Sequence, residues 1–149
     1  MALRPDRNEH LTDLSFFMNE TAERGILVGF STQGSGAAMD DSSAAVKVPG
    51  ITDKPCGLLL NDVVNLDLTR QHINFHKDEV QKGNKVLLLR RGTVVTDQIS
   101  GAVTMGERAH FVAGGLLCSK TASETSQHVG RWLSKKDADG FAKVEINIV

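Results

Sequence analysis

The clearest pattern of hydrophobic and polar positions lies at the C-terminal end of the chain. Within Phe141–Val149, every second residue from Val144 to Ile148 is apolar, and the residues between them are polar. Such alternation predicts a strand with one buried face and one face in water. The turn-forming residues Lys136–Gly140 separate this strand from a second apolar stretch, His128–Leu133. We therefore predict a closing β-hairpin.

Short apolar runs bounded by glycine, proline or asparagine predict further strands. The predominantly apolar run Gly57–Val64 has the length of a strand and is expected to be covered on both faces. Leu11–Met18 fits both helical spacing and alternation, so it is either a strand or a short helix. Apart from it, Leu66–Gln81 is the one stretch compatible with a helix. The other strand-like runs are Gly25–Phe30, Ala44–Val48, Lys85–Arg91, Gly92–Asp97 and Ala109–Ala113.

These elements define the expected fold class. Several short strands joined by glycine-rich turns, without a strong amphipathic helix, are typical of a β-barrel or a β-sandwich. We predict an all-β fold of short antiparallel strands with at most one short helix. A chain of 149 residues can bury one hydrophobic core, so we expect a single β domain over residues 11–149.

The first ten residues form the expected extended N-terminal arm. They alternate in charge and show almost no apolar periodicity. An arm of this kind either orders against a neighbouring subunit or frays as a chain terminus. If the arm grasps a partner, its predicted contact residues are Leu3, Arg4, Pro5, Asp6 and Arg7.

A second segment, residues 31–43, is rich in serine, glycine, alanine and aspartate. Its composition predicts a long flexible loop. The same two alternatives, contact with a neighbour or plain flexibility, apply to this loop.

The charge balance narrows the class of partner. Seventeen basic residues against eighteen acidic ones leave a net charge of −1. A protein dedicated to nucleic acid usually carries a basic surplus. Lys85, Arg90 and Arg91 form a basic cluster in sequence, but no aromatic residue is interleaved with them and aromatics make up only 5% of the chain. Base stacking therefore lacks its usual platform, and we expect no nucleic-acid partner.

The two cysteines and the N-terminus bear on the cellular compartment. Cys56 and Cys118 sit in apolar surroundings, which favours two buried free thiols over a disulfide. The N-terminal residues lack the apolar core of a signal peptide, and no apolar run reaches membrane-spanning length. We expect a protein made in the cytoplasm with no membrane partner.

No motif predicts catalysis, a cofactor or a metal. His72 and His76 are four residues apart, but Ile73 and Phe75 alternate with polar neighbours as in a strand, where these histidines lie too far apart for one metal. The Lys136–Gly140 stretch resembles part of a calcium loop. A cation stands where an oxygen ligand is needed, so a tight turn is the better interpretation.

Two stretches resemble a known family. Gly83–Asp97 is similar to the central strands of tailed-phage head decoration (cement) proteins, and so are Val129–Leu133 and Asp137–Ile146 of the expected closing hairpin. The similarity is one of pattern, in which short glycine-bounded strands lead to a hairpin of this type. It covers much of the chain after residue 50.

The resemblance implies a β-barrel or β-sandwich on the outer surface of an icosahedral shell, often as a homotrimer. Its implied partner is the major capsid protein, whose neighbouring subunits it clamps through contacts that add by multivalency. It carries over no catalytic residue and no cofactor. Three alternatives stay open: another phage structural component of the tail or fibre, a small β-barrel that binds a ligand or nucleic acid, and an enzyme with a cleft shared between subunits.

Overall fold

The computed structural model describes residues 3–4, 7–31, 45–62, 66–67, 72–73, 79–80, 82–83, 85–119 and 127–148. All regular structure within these residues is β-strand, as the pattern analysis predicts. None of these residues belongs to a helix long and apolar enough to cross a membrane. The strands are β1 (Asn8–Asp13), β2 (Phe17–Met18), β3 (Ala22–Glu23), β4 (Leu27–Phe30), β5 (Ala45–Lys47), β6 (Pro55–Asp62), β7 (Leu66–Asp67), β8 (His72–Ile73), β9 (Glu79–Val80), β10 (Val86–Thr96), β11 (Arg108–Phe111), β12 (Leu117–Ser119), β13 (Gly130–Trp132) and β14 (Ala142–Asn147).

Strand β10 is eleven residues long and pairs with three other strands, β1, β6 and β14. Along one edge, the N-terminal segment (residues 3–4 and 7–18) runs antiparallel to it, from a bridge between Leu3 and Thr96 to a bridge between Phe17 and Lys85. Along the other edge, β6 pairs with the first part of β10 and β14 pairs with the last part. The sheet therefore forks at Arg90, between the two partner strands.

Each branch of the fork closes into a ring of strands. In the first ring β6 pairs with β4, β4 with β5 and β5 with β2, and β2 returns to the start of β10 through a hydrogen bond from the Val86 N–H to the Phe16 carbonyl (3.1 Å). The β2–β5 pair is parallel, so the predicted antiparallel sheet is in fact mixed.

The second ring runs through β14, β13, β11 and β12. It closes because Leu117 of β12 hydrogen-bonds residues that directly follow β10. The Leu117 N–H donates to the Gln98 carbonyl (3.1 Å), and the Ser100 N–H donates to the Leu117 carbonyl (2.8 Å). The remaining strands of the described residues form two small pairs, β3 with β9 and β7 with β8.

Two hydrophobic clusters fill the molecule, one largely inside each ring. Strand β6 separates them, since Leu58 and Leu60 face the larger cluster whereas Cys56 and Leu59 face the smaller one. Leu59 points away from Leu58 and Leu60 because successive side chains alternate between the two faces of a strand. This confirms the prediction that the strand beginning near Gly57 is covered on both faces.

The predicted strands are largely present, with two differences. Lys85–Arg91 and Gly92–Asp97, expected as separate runs, belong to the single strand β10. The described residues of Leu66–Gln81, the one stretch compatible with a helix, form β7, β8 and β9 instead. Leu11–Met18, which fitted both patterns, contributes to the strands β1 and β2.

Candidate functional site

The predicted partner-contact arm is held on its own domain by Leu3 and Arg4. The Leu3 side chain is only 2% exposed and belongs to the larger hydrophobic cluster. The Arg4 N–H donates to the Val95 carbonyl of β10 (3.0 Å), which extends the strand pairing beyond β1. Strand β1 begins at Asn8 and the core already includes Leu3, so strand pairing and core packing begin before residue 11.

The Arg4 guanidinium binds the turn of the closing hairpin. Its Nη2 atom lies 3.2 Å from a carboxylate oxygen of Asp137 and 3.3 Å from one of Asp139. Its central carbon stands 4.2 Å from the ring centroid of Phe141, a distance suited to a cation–π contact. Arg4 thus joins the two ends of the described chain.

The turn itself is organised by Asp137. Its Oδ1 accepts hydrogen bonds from the backbone N–H groups of Asp139 (2.9 Å) and Phe141 (3.0 Å). The hydrogen bond from the Phe141 N–H is the main cause that holds the pKa of the Asp137 carboxyl below its usual value. Desolvation opposes it, and the hydrogen bond from Asp139 and the charge of Arg4 add to the lowering. Gly140 takes the positive φ of 84° that the turn requires. The segment therefore forms the tight turn that the sequence predicts.

The other arm residues differ in their placement. The Arg7 Nε lies 2.8 Å from a carboxylate oxygen of Glu9, within the same segment. Pro5 and Asp6 lie outside the described residues, as do residues 32–43 of the expected loop. Of the arm residues that the structure describes, Leu3 packs into the core and Arg4 binds the hairpin turn of the same chain.

The basic cluster of the sequence does not form one patch. The Lys85 ammonium stands 5.5 Å from the Phe17 ring centroid, and Arg90 Nη1 lies 3.6 Å from a carboxylate oxygen of Asp13. Lys85 and Arg90 therefore serve separate contacts, and Arg91 lies on the other face of β10 from Arg90.

Burial decides the chemistry of the cysteine side chains. Both cysteines are buried free thiols, as predicted. Burial raises the pKa of the Cys56 thiol to about 12, an effect that the nearby Arg90 charge only partly offsets, so the thiol stays protonated. Among the described residues, no group of three or more histidine, cysteine or acidic side chains could hold a metal. His76 lies outside the described residues.

The second ring carries a face rich in basic side chains (the basic face), which the sequence pattern did not predict. Strand register places Arg108 of β11 directly opposite Arg131 of β13, and Arg131 directly opposite Glu145 of β14. The three side chains form one exposed row across three strands. Arg108 and Arg131 each stand alone in the sequence. The only local sign that either one is exposed on a strand was the alternation of Arg131 with its buried neighbours.

The row borders an open groove with a volume of about 270 Å³. The residues that line it are Arg108, His128, Gly130, Arg131, Glu145 and Asn147. A Cβ atom at Gly130 would overlap the carbonyl oxygen of Glu145. Glycine is therefore required for the close approach of β13 to β14.

Comparison with known proteins found similarity among solved structures. No family model matches the chain, and no curated protein matches it in sequence. Among solved structures, the chain is similar to the crystal structure of the head fiber gp8.5 N base in bacteriophage phi29. The identity is 10%, the TM-score is 0.47, and the likeness covers 95% of this chain and 94% of the other. At this TM-score and identity, nothing about function carries over.

Proposed function

We propose that the chain is a structural protein of a tailed-phage virion, and specifically a head decoration protein. It binds the outer surface of the shell and bridges neighbouring subunits of the major capsid protein, as a homotrimer. The observation that carries this proposal is the arrangement of the two stretches that resemble the decoration family. They form β10 and the β13–β14 hairpin, and β14 pairs with β10 over Arg91–Thr96.

A decoration protein stabilises a shell through multivalent contact. Each copy contacts several capsid subunits, so individually weak contacts add through a high effective concentration. A rigid domain suits this role better than a flexible one, because little conformational entropy is lost on binding. Here the N-terminal segment is tied to β10 and to the hairpin turn, so both ends of the described chain belong to one packed unit.

The test uses the phage that encodes this chain. Heads from a phage lacking its gene are purified and titrated with the purified protein, and the bound copies per head are counted. We expect saturable binding of many copies and a higher temperature of DNA release from the filled heads. The proposal fails if the chain is absent from purified wild-type virions, or if added protein neither binds the heads nor changes the release temperature.

Labelled antibodies show whether the protein lies on the head or on the tail of the virion. Label confined to the tail or to a fibre would replace the decoration role with the alternative of another phage structural component. Light scattering tests the trimer, which has three times the 16.1 kDa mass of one chain. A strict monomer at the concentrations that saturate heads would remove the trimer from the proposal.

A further inference from the structure

We propose that the basic face of the second ring is a docking surface for an acidic segment of a partner protein. Arg108 and Arg131 bind the carboxylates of this segment across the groove. The inference rests on the proposed function only for the identity of the partner, which is then the outer surface of the major capsid protein.

The face concentrates positive charge in a chain that is slightly acidic overall. Residues directly opposite one another, or alternating along β14, share this face. Its basic side chains are those of Arg91, Arg108, Arg131 and Lys143, and Glu145 is the acidic side chain among them. Since the whole chain has a net charge of −1, the rest of the molecule carries net negative charge. Such an asymmetry orients an approaching acidic surface toward this face.

The pairing of Arg108 with Arg131 costs stability. Like charges directly opposite each other in an antiparallel pair repel. Within the described part of the chain, neither guanidinium forms an ion pair, and Glu145 stays outside salt-bridge distance of Arg131 although it is its cross-strand partner. A bound carboxylate would relieve this repulsion, because it can accept hydrogen bonds from both guanidinium groups.

The groove has the size and polarity for acidic side chains. Arg108 and Arg131 both line it, and His128 and Asn147 add further polar groups. An aspartate or glutamate side chain occupies only part of 270 Å³, so the groove accommodates a short acidic segment rather than one ion.

The surroundings favour a protein over nucleic acid. Glu145 stands at the β14 end of the row, beside Arg131, where it would repel a continuous phosphate backbone but could accept hydrogen bonds from a protein segment. The outward residues that continue the row onto β10 and β1, Thr93 and Asn8, supply no aromatic ring for base stacking.

The first experiment measures binding of a fluorescein-labelled peptide of ten glutamates by anisotropy at low salt. The double variant Arg108→Gln and Arg131→Gln is compared with Lys54→Gln and Lys82→Gln, which removes the same charge from exposed sites on loops of the first ring. We expect the arginine variant to bind roughly tenfold more weakly, since exposed ion pairs are individually modest. The lysine variant is expected to bind as wild type does. Added salt should weaken wild-type binding more than binding by the arginine variant.

A stability measurement separates docking from a structural role. If the arginines serve docking, their replacement removes a repulsion, and the thermal midpoint stays unchanged or rises. A clear fall in the midpoint would mean that they stabilise the fold, and would overturn the inference. Three other results would also overturn the inference. They are no binding of the peptide by wild-type protein, equal binding by the two double variants, and tighter binding of a DNA duplex than of the peptide at the same salt.

The same variants added to heads lacking the protein distinguish this inference from the proposed function. If wild-type protein fails to bind heads while the peptide result stands, the proposed function fails and the docking surface remains. If wild-type protein binds heads and the arginine variant binds equally well, the docking surface is wrong and the decoration role remains.

Discussion

The closing hairpin and the N-terminal segment are both extended strands beside β10, yet they are held in different ways. The hairpin is a local structure, in which β13 and β14 are joined by a short turn and bury alternate residues around Trp132. The N-terminal segment has no partner nearby in sequence and pairs with β10 about eighty residues away. Its register shifts twice, between Glu9 and Leu11 and between Leu11 and Thr12, and most of β1 is exposed.

The difference shows what sequence periodicity reports. Alternation is strong where one face of a strand is buried, as in β14. It is absent where a strand is held mainly by backbone hydrogen bonds and a single anchor, as in the segment around Leu3. A charged stretch without alternation can therefore be part of a domain. We expect the hairpin to unfold only with the whole domain, whereas the N-terminal segment can open locally.

The largest expected effect is that of Trp132→Ala. The indole is fully buried, and its Nε1 donates to the Cys118 carbonyl of β12 (3.2 Å), so it ties the hairpin to the far side of the second ring. We expect a loss of about 4 kcal/mol in the free energy of unfolding, measured by urea denaturation. Trp132→Phe, which keeps most of the buried ring, should cost clearly less. Equal losses would mean that the hydrogen bond dominates over packing.

Gly92→Ala tests the contact between the two regions. Gly92 has a φ of 152°, and a Cβ atom there would overlap the carbonyl oxygen of Asn8 in β1. We expect a loss of about 3 kcal/mol, with faster hydrogen exchange concentrated in the N-terminal segment. Gly101→Ala is the matched control, since Gly101 also has positive φ but an added Cβ would meet nothing within 4 Å. An identical loss in both variants would assign the effect to backbone strain alone.

Leu3→Ala removes the anchor of the N-terminal segment. Because Leu3 is buried near a chain end that can partly relax, we expect a loss of about 2 kcal/mol and faster hydrogen exchange at residues 7–13. Leu11→Ala is the same substitution at a site that is 50% exposed, and it should change stability very little. If Leu3→Ala speeds exchange in the hairpin as much as in the segment, the two regions form one cooperative unit and the comparison fails.

The smallest effect is expected for Arg4→Gln, which removes an exposed ion pair. The folded-state pKa of Asp137 lies below its ordinary value of 3.8, so its contribution is fully present above pH 4 and is lost as the pH falls through the lowered pKa. We therefore expect wild type to be slightly more stable than the variant at pH 7, and the gap to close in strong acid. Thermal midpoints across pH 2–7 measure this, and a gap independent of pH would leave the Phe141 ring contact as the main role of Arg4.

Much of the fold was predictable where burial leaves a periodic trace. The closing hairpin, the strand near Gly57 and the free cysteines were predicted correctly from local composition and alternation. The joining of two expected runs into β10 was not, because the glycine at position 92 is typical of a turn. Only the proximity of β1 shows that the glycine serves a close approach inside a strand.

The candidate site was harder to predict than the fold. The basic face combines single residues from β10, β11, β13 and β14, and strand register alone makes them neighbours. The basic cluster that is contiguous in sequence disperses, because Arg90 and Arg91 point to opposite faces of one strand. Contiguity in sequence is therefore a poor guide to a charged surface on a sheet.

By itself, the sequence determined the fold class, the closing turn and the two-sided burial of β6. Each of these depends on which residues prefer water and which conformations glycine and aspartate adopt, both of which are local properties. Only the tertiary structure decided that the N-terminal segment lies along β10, that the sheet forks into two rings, and that Arg108 meets Arg131. These features depend on pairings between residues far apart in sequence, whose register is fixed by the packing of the whole domain.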